Sequence, residues 1–212
     1  MQPKRLLWGL GLLGMGLFIG ILFLLVQANA PESTPDENTS TEKQPLNWKV
    51  EDFTYTDQNG EPFTRSDLEG KVWIADLIFT NCNTVCPPMT ANMARLQKKM
   101  KEAGVEAEIV SFSIDPERDT PKALKRFGEK HGADFSNWHF LTGYSFEEIQ
   151  QFADASFHMN LQHNPDNDQV IHGTGFYLVS PKGRVLYQYN GMKPDLEEII
   201  RDIQDLHETK GE

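Results

Sequence analysis

Cys82 and Cys86 are the only cysteines in the 212-residue chain. They stand four residues apart in Phe79-Thr80-Asn81-Cys82-Asn83-Thr84-Val85-Cys86-Pro87-Pro88. With no third thiol to bond, the pair is a local disulfide, a dithiol or two thiolates on a metal. A disulfide closing so short a loop removes little entropy from the unfolded chain, so a structural bridge fits poorly. Two thiolates alone are an incomplete metal site. The best third ligand is His172, in Val170-Ile171-His172-Gly173-Thr174-Gly175-Phe176. It precedes a predicted strand, in a glycine-rich turn that lets backbones approach closely. Thiolates favour Cu(I) or zinc, and imidazole suits copper in either oxidation state. Two sulfurs and one nitrogen make a three-coordinate set, which suits Cu(I), whereas structural zinc normally takes four ligands. Spacing alone does not separate a ligand histidine from a surface one. His131, His139, His158, His163 and His207 fall at predicted helix ends, strand edges and a polar loop, and read as ordinary surface histidines.

The elements that must position these residues alternate between strand and helix. Val72 to Phe79 is nearly continuous apolar, as expected of a central strand covered on both faces. The cysteines follow at once, and Pro87-Pro88 opens a helix, where proline is tolerated in the first turn. Met89, Met93, Leu96 and Met100 form its apolar stripe, spaced as core rather than as a copper relay. Val105 to Ile114 reads as a second central strand. Thr120-Pro121 starts a helix to about Lys130, and Trp138 to Leu141 is a short strand. Ser145-Phe146-Glu147-Glu148 is a capping-box start for a helix to about Ala155. Trp48 to Tyr55 alternates as a strand before an Asn59-Gly60 turn, and Ser66 to Gly70 reads as one helical turn. Thr174 to Val179 and Arg184 to Tyr189 flank the hairpin turn Ser180-Pro181-Lys182-Gly183. A final amphipathic helix runs from Pro194 to about Leu206. This order predicts an α/β sandwich with a mixed sheet. Its cysteines sit at the C-terminal end of a central strand, where ligand crevices form. The helix N-terminus there favours thiolate over thiol, so both cysteines are expected to ionise readily.

The N-terminal residues 1–30 differ from the rest. Lys4 and Arg5 precede the uncharged apolar run Leu6 to Val26, about 30 Å of helix, which matches a bilayer core. No lysine or arginine follows until Lys43, so the N-terminus is expected in the cytoplasm and the remainder on the extracytoplasmic face. Ala28-Asn29-Ala30 has the form of a cleavage site, but the run exceeds a signal-peptide core, which favours an uncleaved single-pass anchor. No cysteine follows the run, so a lipoprotein anchor is not expected. Residues 31–46 form a polar tether with too little apolar surface to fold. Residues 47–212 are then one soluble domain, large enough for a full core. The formal charge of −11 sets aside nucleic acid as a partner, since phosphate binding needs a basic face.

The stretch from Val72 to Met89 resembles the Sco/SenC family. So do Ile109-Val110-Ser111-Phe112-Ser113-Ile114-Asp115-Pro116-Glu117-Arg118-Asp119-Thr120-Pro121, His172 before a strand, and Ser180-Pro181-Lys182-Gly183. These are membrane-tethered copper-binding proteins with a thioredoxin-like fold, and the resemblance covers roughly residues 47–208. It implies Cys82, Cys86 and His172 as ligands of one copper per chain, as Cu(I) or Cu(II). It also implies a metallochaperone role in cytochrome c oxidase assembly, serving the dinuclear copper centre of subunit II. Another copper donor or a thiol reductant would be a further partner. Many members carry proline after the first cysteine, where this chain has Asn83; that residue lies between ligands, so tuning rather than loss is expected. Asp76 inside an apolar strand is also unusual, with a sheet edge or a hydrogen bond near the site as its expected place. Gly173 and Gly175 are expected to loosen the histidine loop. Oxidation of the pair would remove two of three ligands and release the ion.

Three other readings use the same residues. A thiol–disulfide oxidoreductase would keep the centre's cysteines reduced, though such enzymes usually carry Cys-x-x-Cys and a proline where His172-Gly173-Thr174 stands here. A thiol peroxidase would need Pro-x-x-x-Thr-x-x-Cys, and counting back from Cys86 gives Asn83 for threonine and Phe79 for proline. A redox- or copper-responsive signalling protein would bind without turnover.

Overall fold

The computed structural model describes residues 44–208 except 83 and 166. The expected anchor, and most of the expected tether, lie outside the described residues. Among the described residues, no helix is long and apolar enough to cross a membrane.

Six strands form the main sheet, in the order β1-β10-β9-β4-β5-β6. They are β1 (Trp48–Lys49), β4 (Trp73–Ile78), β5 (Glu108–Ser113), β6 (Trp138–Leu141), β9 (Gly175–Val179) and β10 (Arg184–Asn190). β4, β5 and β6 run parallel. β9 joins β4 antiparallel, and β10 and β1 continue that sense. Every residue of β4 is buried, which is why its text is apolar throughout rather than alternating. The sheet is mixed, as expected, with helices flanking it: α1 (Cys86–Ala103), α2 (Pro121–His131), α3 (Phe146–Phe157) and α4 (Leu196–Glu208). Right-handed crossovers from β4 to β5 to β6 put α1 and α2 side by side on one face, and α4 also packs on α1. α3 lays Phe152 and Phe157 against Phe112 and Tyr177 of the sheet. Met89, Met93, Leu96 and Met100 are buried, so the methionine stripe is core.

Caps fix the helix starts. The Thr120 side chain accepts from the Ala123 N–H, and Ser145 with Glu148 forms the expected reciprocal capping box. Some boundaries differ from the sequence reading. The expected strand from Trp48 to Tyr55 is two pieces, β1 and β2 (Thr54–Thr56), because Val50 and Phe53 turn into the core between them. β2 pairs with β3 (Pro62–Thr64) across the Asn59-Gly60 turn. The helical turn that follows is 3₁₀, over Arg65–Leu68. The stretch before His172, to which the sequence reading assigned no strand, carries a two-stranded ribbon of its own, β7 (Gln162–His163) with β8 (Val170–Ile171). Two-residue strands give no readable period, which is why the sequence did not reveal them.

Candidate metal centre

β4 ends at Ile78, and the chain turns through Thr80 and Asn81 into Cys82 before α1 opens at Cys86. Val85 at the N-cap offers no side-chain acceptor, and Pro87 and Pro88 bring no N–H of their own. The acceptor is instead a thiol: the Cys86 backbone N–H donates to Cys82 Sγ at 3.3 Å. Thr84 Oγ1 lies 3.7 Å from the same sulfur. His172 arrives from the start of β9, the antiparallel neighbour of β4, so the end of one strand meets the beginning of the other. Its Nε2 lies 3.9 Å from Cys86 Sγ. Its Nδ1 donates to the Gly173 carbonyl at 2.7 Å. A carbonyl only accepts, so Nδ1 carries the proton and Nε2 keeps its lone pair toward the sulfur. The edge of Phe79 flanks the imidazole, with ring centroids 5.9 Å apart.

The two thiols are not equivalent. Both are free and buried. Burial pushes the Cys82 pKa up, but hydrogen bonds from the Cys86 thiol and N–H and from Thr84 outweigh it, leaving Cys82 below the ordinary thiol range. Burial pushes Cys86 far above that range, and its hydrogen bond to Cys82 adds to the rise. His172 is lowered by burial, partly offset by the Gly173 carbonyl, so it stays neutral at physiological pH. The expectation that both cysteines ionise readily is therefore corrected for Cys86. The first helix N–H, that of Cys86, points at the Cys82 sulfur, while the Cys86 side chain is inside the first turn with no exposed surface. In a reduced Cys86→Ser variant, the remaining thiol should alkylate with a midpoint below the free-cysteine value of about 8.5. A midpoint at or above that value would contradict the asymmetry.

Behind the cysteine turn, Asp119 is fully buried and takes three groups at once. The Thr80 N–H reaches both of its oxygens at 3.2 Å, the Thr80 hydroxyl donates to Oδ1, and the Ser113 hydroxyl donates to Oδ2 at 2.6 Å. Asp76 lies at the centre of the sheet rather than at an edge. Its Oδ1 accepts from Ser111 Oγ at 2.6 Å, and Trp138 Nε1 donates to that hydroxyl at 2.9 Å. Its Oδ2 is buried with no hydrogen-bond partner among the described residues. Gly175 is tight rather than loose, since it is a buried residue of β9 and pairs with Asn190 of β10.

The structure brings Cys82, Cys86 and His172 to one place, with cysteine and imidazole donors that suit copper. Among the described residues, no three His, Cys, Asp or Glu side chains stand in metal-holding geometry. The other histidines have structural employment. His131 Nδ1 bonds the Phe127 carbonyl, His139 pairs with Glu108, and His207 bonds the Glu106 carbonyl. His158 caps α3 against Trp48, and His163 lies on Phe146. A 580 Å³ groove opens at the far end of the strands, and its charges pair among themselves as Lys71–Glu108 and Lys101–Asp134.

The chain is similar to known proteins in sequence and in fold. The SCO1/SenC family profile matches residues 41–208. The chain is 45% identical over 196 residues to the SCO1 protein homolog of Bacillus subtilis (strain 168), covering 92% of this chain and 97% of the relative. It is similar in structure to BsSco, described as a member of the Sco family of cytochrome c oxidase assembly proteins with a disulfide switch. The TM-score is 0.71 at 49% identity, covering 76% of this chain and 95% of that one. It is also similar to Arabidopsis thaliana ScoI with copper bound, at a TM-score of 0.64 and 26% identity, covering 74% of this chain and 98% of that one. The fold those proteins share with this chain is thioredoxin-like.

Proposed function

The chain belongs to the SCO1/SenC family, and from that premise we propose that it is a copper-binding protein of cytochrome c oxidase assembly. More specifically, it is a metallochaperone that serves the dinuclear copper centre of subunit II. Copper is its cargo, held by Cys82, Cys86 and His172, one ion per chain. The observation that carries this reading is the approach of Cys86 Sγ and the unprotonated His172 Nε2, with the Cys82 sulfur at the helix terminus beside them. The apolar run Leu6 to Val26 supports a single-pass anchor that holds the domain on the extracytoplasmic face.

Each residue has a separate task. Cys82 offers a ready thiolate for first contact. Cys86 must lose its proton as the metal arrives, so loading releases protons and affinity rises with pH. The neutral imidazole of His172 needs no deprotonation. Oxidising the pair forms the sulfur–sulfur bond and releases two protons and two electrons, the electrons passing to a partner disulfide, which becomes two thiols, or to two Cu(II) ions, one each. It removes two of the three ligands.

Titration of the reduced domain with Cu(I) against a competing chelator tests the site. One equivalent should bind, and His172→Ala should weaken binding by about a hundredfold, roughly 2.7 kcal/mol. Equal affinity in both proteins would refute the three-ligand site. A deletion strain with a normal copper-centre content in its oxidase would refute the assembly role.

A second reading is favoured by the asymmetric thiols. A low-pKa attacking sulfur beside a protonated resolving one is the arrangement of a thiol–disulfide exchanger. That activity would keep the cysteines of the same copper centre reduced. It predicts that His172→Ala retains full disulfide-reducing activity toward a subunit II peptide while losing copper.

A further inference from the structure

His172 reaches the cysteines from a ribbon that is not part of the main sheet. β7 and β8 pair only with each other. The paired strands pack on the domain. Leu161 and Val170 are buried, Gln150 Nε2 donates to the Leu161 carbonyl at 2.6 Å, and His163 lies on Phe146. The tip is held differently, by polar contacts to other loops. Gln169 Nε2 donates to the Asn81 carbonyl, next to Cys82, at 3.3 Å. Arg118 makes a further contact and uses the whole guanidinium. Its Nη2 donates to the Asp168 carbonyl at 2.7 Å and its Nη1 to Asp168 Oδ2 at 3.2 Å. Its Nε donates to Asp115 Oδ2 at 2.6 Å.

The origin of Arg118 matters as much as its reach. It lies in the turn Asp115 to Asp119, where the Arg118 and Asp119 N–H groups both return to the Asp115 carbonyl. The Asp115 N–H in turn donates to Ser113 Oγ at the end of β5. The turn is thus fixed to the sheet. Asp119 from this turn grips Thr80, and with it the cysteine loop. Arg118 from the same turn grips Asp168, and with it the histidine ribbon. Five residues therefore hold both arms of the metal centre. Asp115 is nearly buried and pins the guanidinium, so little side-chain freedom remains to be lost when the fork meets Asp168.

We infer that Arg118 is the positioning residue for His172: its bridge from Asp115 to Asp168 sets the ribbon so that the imidazole meets the cysteine pair. This rests on His172 being a copper ligand, and it adds a residue that touches neither metal nor thiol. The Arg118–Asp168 contact is solvent-facing, so salt screens it over a Debye length of about 8 Å at physiological ionic strength. Copper affinity should then fall as salt rises, through a pair that lies outside the site.

The test uses the reduced domain, Cu(I) with a competing chelator, and the variants Arg118→Ala, Arg118→Lys, His172→Ala and the Arg118→Ala/His172→Ala double. Arg118→Ala should weaken copper binding about threefold to tenfold at low salt and flatten its salt dependence. Arg118→Lys, a point charge without the fork, should recover only part of the loss. Amide hydrogen exchange in the metal-free protein should rise for residues 162–171 and stay unchanged in β4 and β5. Against a His172→Ala background, Arg118→Ala should cost nothing further. If that cost is as large with His172 absent as with it present, Arg118 does not act through His172 and the inference fails while the copper site stands. If His172→Ala alone leaves affinity unchanged, the three-ligand reading fails instead. Hydrogen exchange then still decides whether Arg118 positions the ribbon, and unchanged protection of 162–171 in Arg118→Ala overturns it in every case.

Discussion

Asp119→Ala should destabilise the metal-free domain by about 3–5 kcal/mol, more than any other single polar substitution near the site. Three donors converge on this carboxylate: the Thr80 N–H, the Thr80 hydroxyl and the Ser113 hydroxyl. Ser113 has no exposed surface, so its hydroxyl cannot turn to water when the acceptor is removed. Each buried donor left without a partner costs about 1–3 kcal/mol. Asparagine should not rescue. Both carboxylate oxygens accept from the Thr80 N–H, and the amide replaces one of them with a donor facing that N–H, which, unlike the hydroxyls, cannot turn to accept. Urea unfolding of Asp119→Ala and Asp119→Asn checks this. A loss below about 1 kcal/mol in either would show that the donors find other partners. Because Thr80 leads directly into the cysteine loop, the same variants should also weaken copper binding while α1 stays folded.

A second large effect belongs to Asp76, through pH. Burial raises its pKa from the usual 3.8 to about 7, and the Ser111 hydroxyl recovers only part of the lost hydration. Its other oxygen has no hydrogen-bond partner among the described residues. In the unfolded chain the group ionises near pH 4, while in the fold it stays protonated until about 7. Between those values the folded state binds the extra proton, so stability falls as pH rises. Below about pH 4 no penalty applies, and above about 7 it is complete. Three pH units of difference correspond to roughly 4 kcal/mol. In Asp76→Asn this slope should vanish, and the variant should be more stable than the parent at pH 8 but less so at pH 4. Chemical denaturation midpoints at pH 4, 6 and 8 measure it. Parallel pH profiles for the two proteins would mean that Asp76 is already ionised in the fold.

Much of this was legible in the residues because the signals were local. Trp138–Leu141 and the Thr120 and Ser145 caps lie where the sequence places them, since a cap and a short apolar run each act within one turn. The all-buried β4 announced itself by its unbroken apolar text. The cysteine pair and its strand-to-helix junction followed from that same stretch. The inequality of the thiols did not, because it depends on which sulfur accepts the Cys86 N–H and which is inside the turn. The role of Asp119 was hidden for another reason. It spans 39 residues to reach Thr80, and a carboxylate in a turn looks solvated until its partners are known. The β7–β8 ribbon was missed because its strands are too short to show alternation. Asp76 was visible as an oddity, but its pairing with Ser111 is a matter of sheet register.

The antiparallel insertion of β9 beside β4 has a consequence in time. During synthesis Cys82 and Cys86 emerge 86 residues or more before His172. The parallel half, β4 to β6, can pair before β9 exists, so a nascent domain presents two thiols without their imidazole. Only when β9 slides in next to β4 does the third donor arrive. Insertion of β9 and arrival of the imidazole are one event. A chain stopped short of β9 is a dithiol alone, and the longer chain sets an imidazole beside it.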